Sequence, residues 1–594
     1  MSVRKSLLLT LTATLLMVQL AVAQTEARLQ IVQTGIDDLK SDLKYLVELS
    51  PNPSLKKQWA ASLEPLIDSF TEGLDTKKPI RVDVVIGKDV SYEIHIPITK
   101  LDGPKGFIPN ITGFGFIVKR LGGDLYSVAE DTGGGPKAQA KKPMYMRHVN
   151  GYASFAATQA GVPANLPHPI NDPAKGVAAL MARGYDVMAS LKNSAAPADI
   201  TARKANFQEL RKQLEAGLAF RRNEDKNDFA LRKLSLIQNL NEAERFVVET
   251  DELVFGWSTI AATKETPGRG RAEFSILPLA GTNLAASTDV LAAQSSYFAN
   301  VVINPNAVIS GKINFGIDPL RSAHLTQFYM TVRPVLELQV DKRATLKDAE
   351  QKKAVKQAAG LLLDMLSEGI PLGTADLFLD VHSAGDGKHT LICGVRAANG
   401  KKADEIVKLL PKVNAGRDVK LDIQKIGDDV SLHSIAVPER RLAAFQKLFP
   451  GEKLIYVATS KDAVWGAAGT NAVAELEVAI KQVAANAPPE QVDPRVVSLT
   501  AQAARLVELM DIVRPEPQKI DEKLSKEEQS RLKARDKELE KVRKLAIEAT
   551  SKCDAIFSAE VKKNGSKVEG SLDVSECVLT FIGSIIGDFA TTLK

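Results

Sequence analysis

Asp131-Thr132-Gly133 has the residue types of an aspartic-protease loop, in which two carboxylates come together to share one proton. That chemistry needs two such loops, and no second Asp-Thr-Gly occurs; the triplet runs instead into Gly134, Gly135 and Pro136, which read as a flexible loop. His382, Asp386 and His389 surround a tight turn and have the types of metal ligands. Pairing the apolar positions Val381 with Leu391 and Leu379 with Cys393 leaves Gly385-Asp386-Gly387 as the loop. His382 then opposes Thr390 and His389 opposes Ser383, so alternation along the strand sends the two imidazoles to opposite faces. The other histidines (His95, His148, His168, His324, His433) are scattered without ligand spacing. Gly113-Phe114-Gly115 and Gly268-Arg269-Gly270 do not lie between a strand and a helix, as a phosphate cradle requires. No Gly-x-Ser-x-Gly elbow occurs. No catalytic, metal or cofactor residue is assigned on these patterns.

Cysteine chemistry is limited to Cys393, Cys553 and Cys577, too few for a disulfide framework. Cys553 and Cys577 flank a final hairpin, Ala555–Val561 with Val568–Val574, turning at Asn564-Gly565. In that register Val561 faces Val568, Ala559 faces Gly570, and Cys553 lies one position from the partner of Cys577. A Cys553–Cys577 bridge is therefore the one candidate disulfide, provided the chain swings back as its last helix begins.

These residues sit in a chain that begins as an export signal. Arg4 and Lys5 precede an apolar run from Leu7 to about Val22, which ends in Ala21-Val22-Ala23. Cleavage is expected before Gln24, placing the mature protein in the periplasm or outside the cell; Thr10, Thr12, Thr14 and Gln19 make the run a poor membrane anchor. No later stretch reads as a transmembrane segment. The formal charge is +5 for the whole chain, and removing Arg4 and Lys5 leaves +3, too little and too evenly spread for a nucleic-acid partner. Aromatic residues at 5% do not favour a stacking platform for bases.

Helical spacing is read over Glu26–Glu48 and on to about Leu74, and period-two hairpins begin at Ile80. Strands, hairpins and two long helices, one with Asp199 as its expected N-cap, then fill residues 80–300. A similar order recurs from Ala375, with a long charged helix from Ser525, whose Ser-x-x-Glu spacing to Glu528 fits a capping box. Six landmarks match in order at an offset of about 300 residues: Gly87 with Gly385, Val118 with Val419, Leu125 with Val430, Asn150-Gly151 with Lys461-Asp462, Val187 with Val496, and Gly268 with Asn564-Gly565. The expected fold is α+β, with two similar modules of antiparallel sheet and packed helices. The expected divisions are a signal peptide at 1–23, N-terminal helices at 24–79, modules at 80–300 and 375–594, and a connecting strand and helices at 301–374.

The helical stretch from Leu214 to Lys233 (LEAGLAFRRNEDKNDFALRK), the strand start Thr250-Asp251-Glu252-Leu253 and the run LAGTN from Leu279 to Asn283 resemble a family of uncharacterised secreted proteins of planctomycete bacteria. The resemblance implies no activity and transfers no functional residue. The expected function is that of an exported, non-catalytic structural or protein-binding protein. The alternatives are a carrier holding an apolar ligand between sheet and helices, where modules meet, and a hydrolase with dispersed catalytic residues.

Overall fold

A computed structural model describes residues 27–86, 90–130, 143–162, 181–182, 184–221, 224–343, 346, 348–413, 418–427, 429–485, 492–513, 526–550 and 556–592. The architecture is α+β. The first half of the chain supplies β1 (Ala27–Gln33), β2 (Ile80–Ile86), β3 (Val90–Pro97), β4 (Phe116–Gly122), β5 (Leu125–Glu130), β6 (Met144–Val149), β7 (Tyr152–Ala156), β8 (Val187–Lys192), β9 (Thr250–Ile260) and β10 (Arg269–Pro278). The second supplies β11 (Ala307–Gly316), β12 (Thr374–Gly385), β13 (Lys388–Arg396), β14 (Val419–Ile426), β15 (Val430–Ala436), β16 (Leu454–Thr459), β17 (Ala463–Gly469), β18 (Arg495–Gln502), β19 (Ile556–Asn564) and β20 (Lys567–Ser575).

All twenty strands pair antiparallel in one continuous sheet. The first ten run in the order β4-β5-β6-β7-β3-β2-β1-β8-β9-β10. The last ten run β14-β15-β16-β17-β13-β12-β11-β18-β19-β20, which is the first order with ten added to each label. The halves join where β10 pairs with β20, and β4 and β14 are left at the two edges.

Most of the described helices fall at matching places. Between β1 and β2 lie α1 (Ile36–Leu49), α2 (Pro53–Gln58) and α3 (Glu64–Phe70), and α4 (Phe107–Gly113) follows β3. Between β8 and β9 lie α5 (Pro197–Ala216) and α6 (Lys226–Glu249), and α7 (Asn283–Val290) follows β10. The second half has α8 (Pro319–Lys342) and α9 (Ala349–Gly369) after β11, α10 (Lys401–Val413) after β13, α11 (Glu439–Leu448) after β15 and α12 (Ala472–Ala485) after β17. It ends with α13 (Ala503–Val513) and α14 (Lys526–Thr550) between β18 and β19, and α15 (Glu576–Thr592) after β20.

Helices cross between the halves. α8 packs on α6, where Asp318 caps α8 through the Leu320 and Arg321 amides and takes two bonds from Arg245, at 2.8 and 3.1 Å. Burial alone would raise the Asp318 pKa, but Arg245 and the Arg321 amide hold it well below the usual carboxylate range. α1 packs on α15, with Gly583 so close to the Leu46 carbonyl that a Cβ would lie 2.3 Å from it.

Several local expectations give way. Residues 27–33 form a strand, not a helix start, because they pair with β2 on one side and β8 on the other. The stretch 24–79 is thus not helices alone, and β11 in the stretch expected to connect modules pairs on both sides within the sheet. Helix α5 starts at Pro197; Asp199 lies in its first turn, accepting the Ser194 hydroxyl at 2.6 Å, and is not the N-cap. The β12–β13 turn is two residues, Asp386-Gly387, both at positive φ as a type I′ turn requires, with Gly385 paired to Lys388. In the final hairpin the turn is Gly565-Ser566, so Val561 pairs with Gly570 and not Val568. That two-residue slip leaves every side chain on its expected face.

Candidate functional site

The His382 and His389 hairpin has the expected strand register: His382 pairs with Thr390, His389 with Ser383, and the imidazoles lie on opposite faces. His389 Nδ1 donates to the Leu448 carbonyl at 3.1 Å, and burial, with Arg505 nearby, lowers its pKa. His382 Nδ1 lies 3.5 Å from Asp380 Oδ2 within the core. Asp131-Thr132-Gly133 lies outside the described residues. Cys577 is disulfide-bonded and Cys393 is a free thiol, its pKa pushed up to about 11 by burial; Cys553, the expected partner of Cys577, lies outside the described residues.

Three polar groupings come from parts of the chain that no local pattern connects. Asp404 on α10, Asp422 on β14 and His433 on β15 bring potential metal-ligand atoms within 4.8 Å of one another. A bulge in β14 puts Asp422 at φ 48° and aims its amide at His433 Nδ1, at 3.1 Å. That N–H takes the lone pair of Nδ1, so the ring proton sits on Nε2, facing Asp404 Oδ1 at 2.8 Å in a short, bent contact. Neither nitrogen keeps a lone pair for a metal. Lys408 also binds Asp404, at 2.6 Å, and the group pins α10 to the bulge.

The second grouping has hydrolase residue types. Ser154 Oγ is 2.9 Å from His95 Nδ1, and His95 Nε2 is 3.6 Å from Asp83 Oδ2. Ser154 is fully buried, and strands on both sides pair with it, β3 through His95 and β6 through Arg147. An oxyanion hole needs free N–H groups aimed at the reacting oxygen, and mid-sheet amides are committed to the ladder. Asp83 is held by Arg81, at 2.5 and 2.9 Å, and by Gln30 at 3.0 Å. The third grouping is acidic. Asp42 of α1 hydrogen-bonds Asp186, which also accepts the Thr259 amide at 2.6 Å. Burial, then the charges of Asp186 and Asp38, push the Asp42 pKa up to about 7.

The largest arrangement is apolar. Residues paired across antiparallel neighbours share a face. One row of partners runs Tyr126–Met146–Phe155–Ile94–Val82–Ile31–Ala189–Phe255 through the first half. It continues Phe274–Gly570–Val561–Val497–Ile313–Leu377–Val395–Val464 into the second. No member carries a charge. α4 buries the row at Met146 and Phe155 through Phe107, with Ile108 and Ile111 packed beside it. α11 and α13 cover an adjacent row at Ile309, Val381 and Ala501. Between them the row surfaces at Ile31, 37% exposed, Phe255, 43%, and Phe274, 37%, and it surfaces again beyond the covered strands at Val395 on β13, 48%. Gly570 lets the Phe274 ring lie across the strand, since a Cβ there would meet the ring at 2.2 Å. Leu579 of α15 closes on Gly270, Val574 and Trp257 and walls one side. Helix α6 leads into β9 and α7 leaves β10 at the other end of the same strands. Sequence reading finds these residues singly, as alternating apolar positions; only long-range pairing aligns them.

Among the described residues, no helix is long and apolar enough to cross a membrane. No protein-family model matches the sequence, and neither a curated protein nor a solved structure is significantly similar to it.

Proposed function

We propose that this protein is an exported, non-catalytic carrier that holds an apolar ligand against the uncharged row of its sheet. The supporting observation is the exposure of Ile31, Phe255, Phe274 and Val395 on one continuous apolar face. Monomeric soluble proteins rarely leave such a face uncovered unless it binds something. Export rests on the Arg4–Ala23 signal pattern, and the likeness to secreted planctomycete proteins belongs to the same reading. The matching strand orders of the two halves support internal duplication, with the site running across the seam.

Protein purified from its source and analysed by native mass spectrometry should carry a bound apolar molecule. Phe274→Asp should lose it while keeping the wild-type circular dichroism spectrum. Empty wild-type protein that also fails to enhance the fluorescence of a hydrophobic probe would count against the carrier reading.

A second reading, a protein-binding scaffold, is favoured by the sheet edges. Phe116, Ile117 and Leu121 on β4, and Leu421 and Ile423 on β14, are exposed on strands that pair on one side only among the described residues. Lys119, Arg120 and Lys420 guard the same edges against indiscriminate pairing.

A further inference from the structure

We infer that α1 is fastened by a shared proton: Asp42 and Asp186 hold one between them, and its loss at alkaline pH lets α1 open while the rest of the fold stays closed. This latch is independent of the carrier reading. Asp42 lies on α1 and Asp186 at the entry to β8, and their carboxyls hydrogen-bond each other. Two ionised carboxylates only accept, so that bond needs a proton on one of them. The proton belongs to Asp42. Asp186 accepts the Thr259 amide at 2.6 Å, a bond that favours its charged form. Burial and the charges of Asp186 and Asp38 favour the neutral form of Asp42.

The surroundings offer no cation to replace the proton. Asp38 and Tyr45 share Asp42's side of α1, at helical spacing. The Tyr45 hydroxyl occupies the space over Gly268, where a Cβ would lie 1.8 Å from it, and it faces Glu576 of α15. Lys40 and Lys44 turn to another side of α1 and meet α3: Lys40 Nζ is 3.4 Å from Glu64 and 2.5 Å from Asp68, and Lys44 Nζ is 3.9 Å from Glu64. α2 brings Lys56 and Lys57, both exposed. Among the described residues, no Lys or Arg pairs with Asp38, Asp42 or Asp186. Losing the proton therefore sets like charges against each other where α1 meets the sheet.

The second half supplies the contrast. α8 follows β11 as α1 follows β1, and it docks on α6 through fixed charges. Arg245 holds Asp318, and Arg321 holds Glu242 at 2.8 and 3.2 Å. Asp318 stays ionised well below neutrality, and arginine stays charged well above it. His324 of α8 takes Asn241 at 2.8 Å, and burial lowers its pKa, so it is neutral over the range in which Asp42 titrates. Between neutral and alkaline pH, α1 has a charge to change and α8 does not.

The experiment is amide hydrogen exchange of the full-length protein at pH 6 and pH 8.5, in the regime where reclosing outpaces exchange. It is read as protection factors, which divide out the base catalysis of exchange itself. Peptides within residues 36–49 should lose protection about fivefold over this range, while peptides within 319–342 keep theirs. Asp42→Asn should remove the loss, because its amide can donate to the Asp186 carboxylate without a titrating proton. Asp186→Asn should remove it too, because its side-chain oxygen still accepts the Thr259 amide and its nitrogen donates to Asp42. Equal losses in α1 and α8 would mean that the whole molecule loosens, and would overturn the latch. No loss in α1, or the wild-type loss persisting in both variants, would overturn it as well. If neither variant folds, the comparison of α1 with α8 in the wild type decides alone.

Discussion

Asp42 is a carboxyl that the fold prefers to keep protonated. Burial and the neighbouring Asp186 and Asp38 carry its pKa to about 7, against an ordinary value near 3.9 in an unfolded chain. The folded state therefore holds a proton that the unfolded state has released. Its contribution to stability is full below about pH 4 and is lost as pH rises through 7. Asp186 is shifted the same way, mainly by burial. The urea midpoint of the wild type should fall between pH 6 and 8.5, by about 1 kcal/mol of stability on the linkage relation for a half-buried group. Asp42→Asn should flatten that slope and be the more stable form at pH 8.5. An unchanged slope in the variant would place the titrating group elsewhere. None of this was legible in the sequence, because Asp42 and Asp186 are ordinary surface types that meet only when α1 docks. His433 shows the same limit: its partners on α10 and β14 carry no ligand spacing along the chain.

At the scale of elements, two glycines mark close approaches of different kinds. A Cβ at Gly583 would meet the Leu46 carbonyl of α1, which is backbone and cannot move without separating two helices. A Cβ at Gly570 would meet the Phe274 ring, which is partly exposed and can swing away. Gly583→Ala should thus destabilise the protein by about 1–3 kcal/mol, as overpacking does. Gly570→Ala should change thermal stability less and lift Phe274 off the floor of the row; equal losses would contradict this distinction. The last hairpin carries a further test. Denatured, unreduced protein should show one free thiol, that of Cys393, since Cys577 is already bonded. Hairpins were the most legible elements, because alternation and turn residues are local signals. The His382 hairpin kept its register, and the final hairpin slipped by two residues because its turn is Gly565-Ser566 instead of Asn564-Gly565. β1 was misread because Leu29, Val32 and Ile36 also fit helical spacing, and only its pairing with β2 and β8 decides between the periods.

Among the described residues the two halves are tied by the β10–β20 ladder, by α8 on α6, by α1 on α15, and by Phe298 and Val301, which lie in the core of the second half with Phe378 and Trp465. Cutting the chain at exposed Val302 should leave both fragments in one particle on size-exclusion chromatography, and unfolding should remain a single transition. Separation of the fragments in native buffer would show the seams to be weak. The pairing of α1 with α15 also sets an order of events in time. α1, at residues 36–49, leaves the ribosome long before its packing surface on α15, at residues 576–592. Contacts so far apart in sequence form slowly; Leu55, Trp59, Leu63 and Ile67 can cover Leu43 and Val47 early, while the side of α1 at Leu46 waits for α15. Throughout that interval the side of α1 that α15 will cover stays open to any other apolar surface it meets.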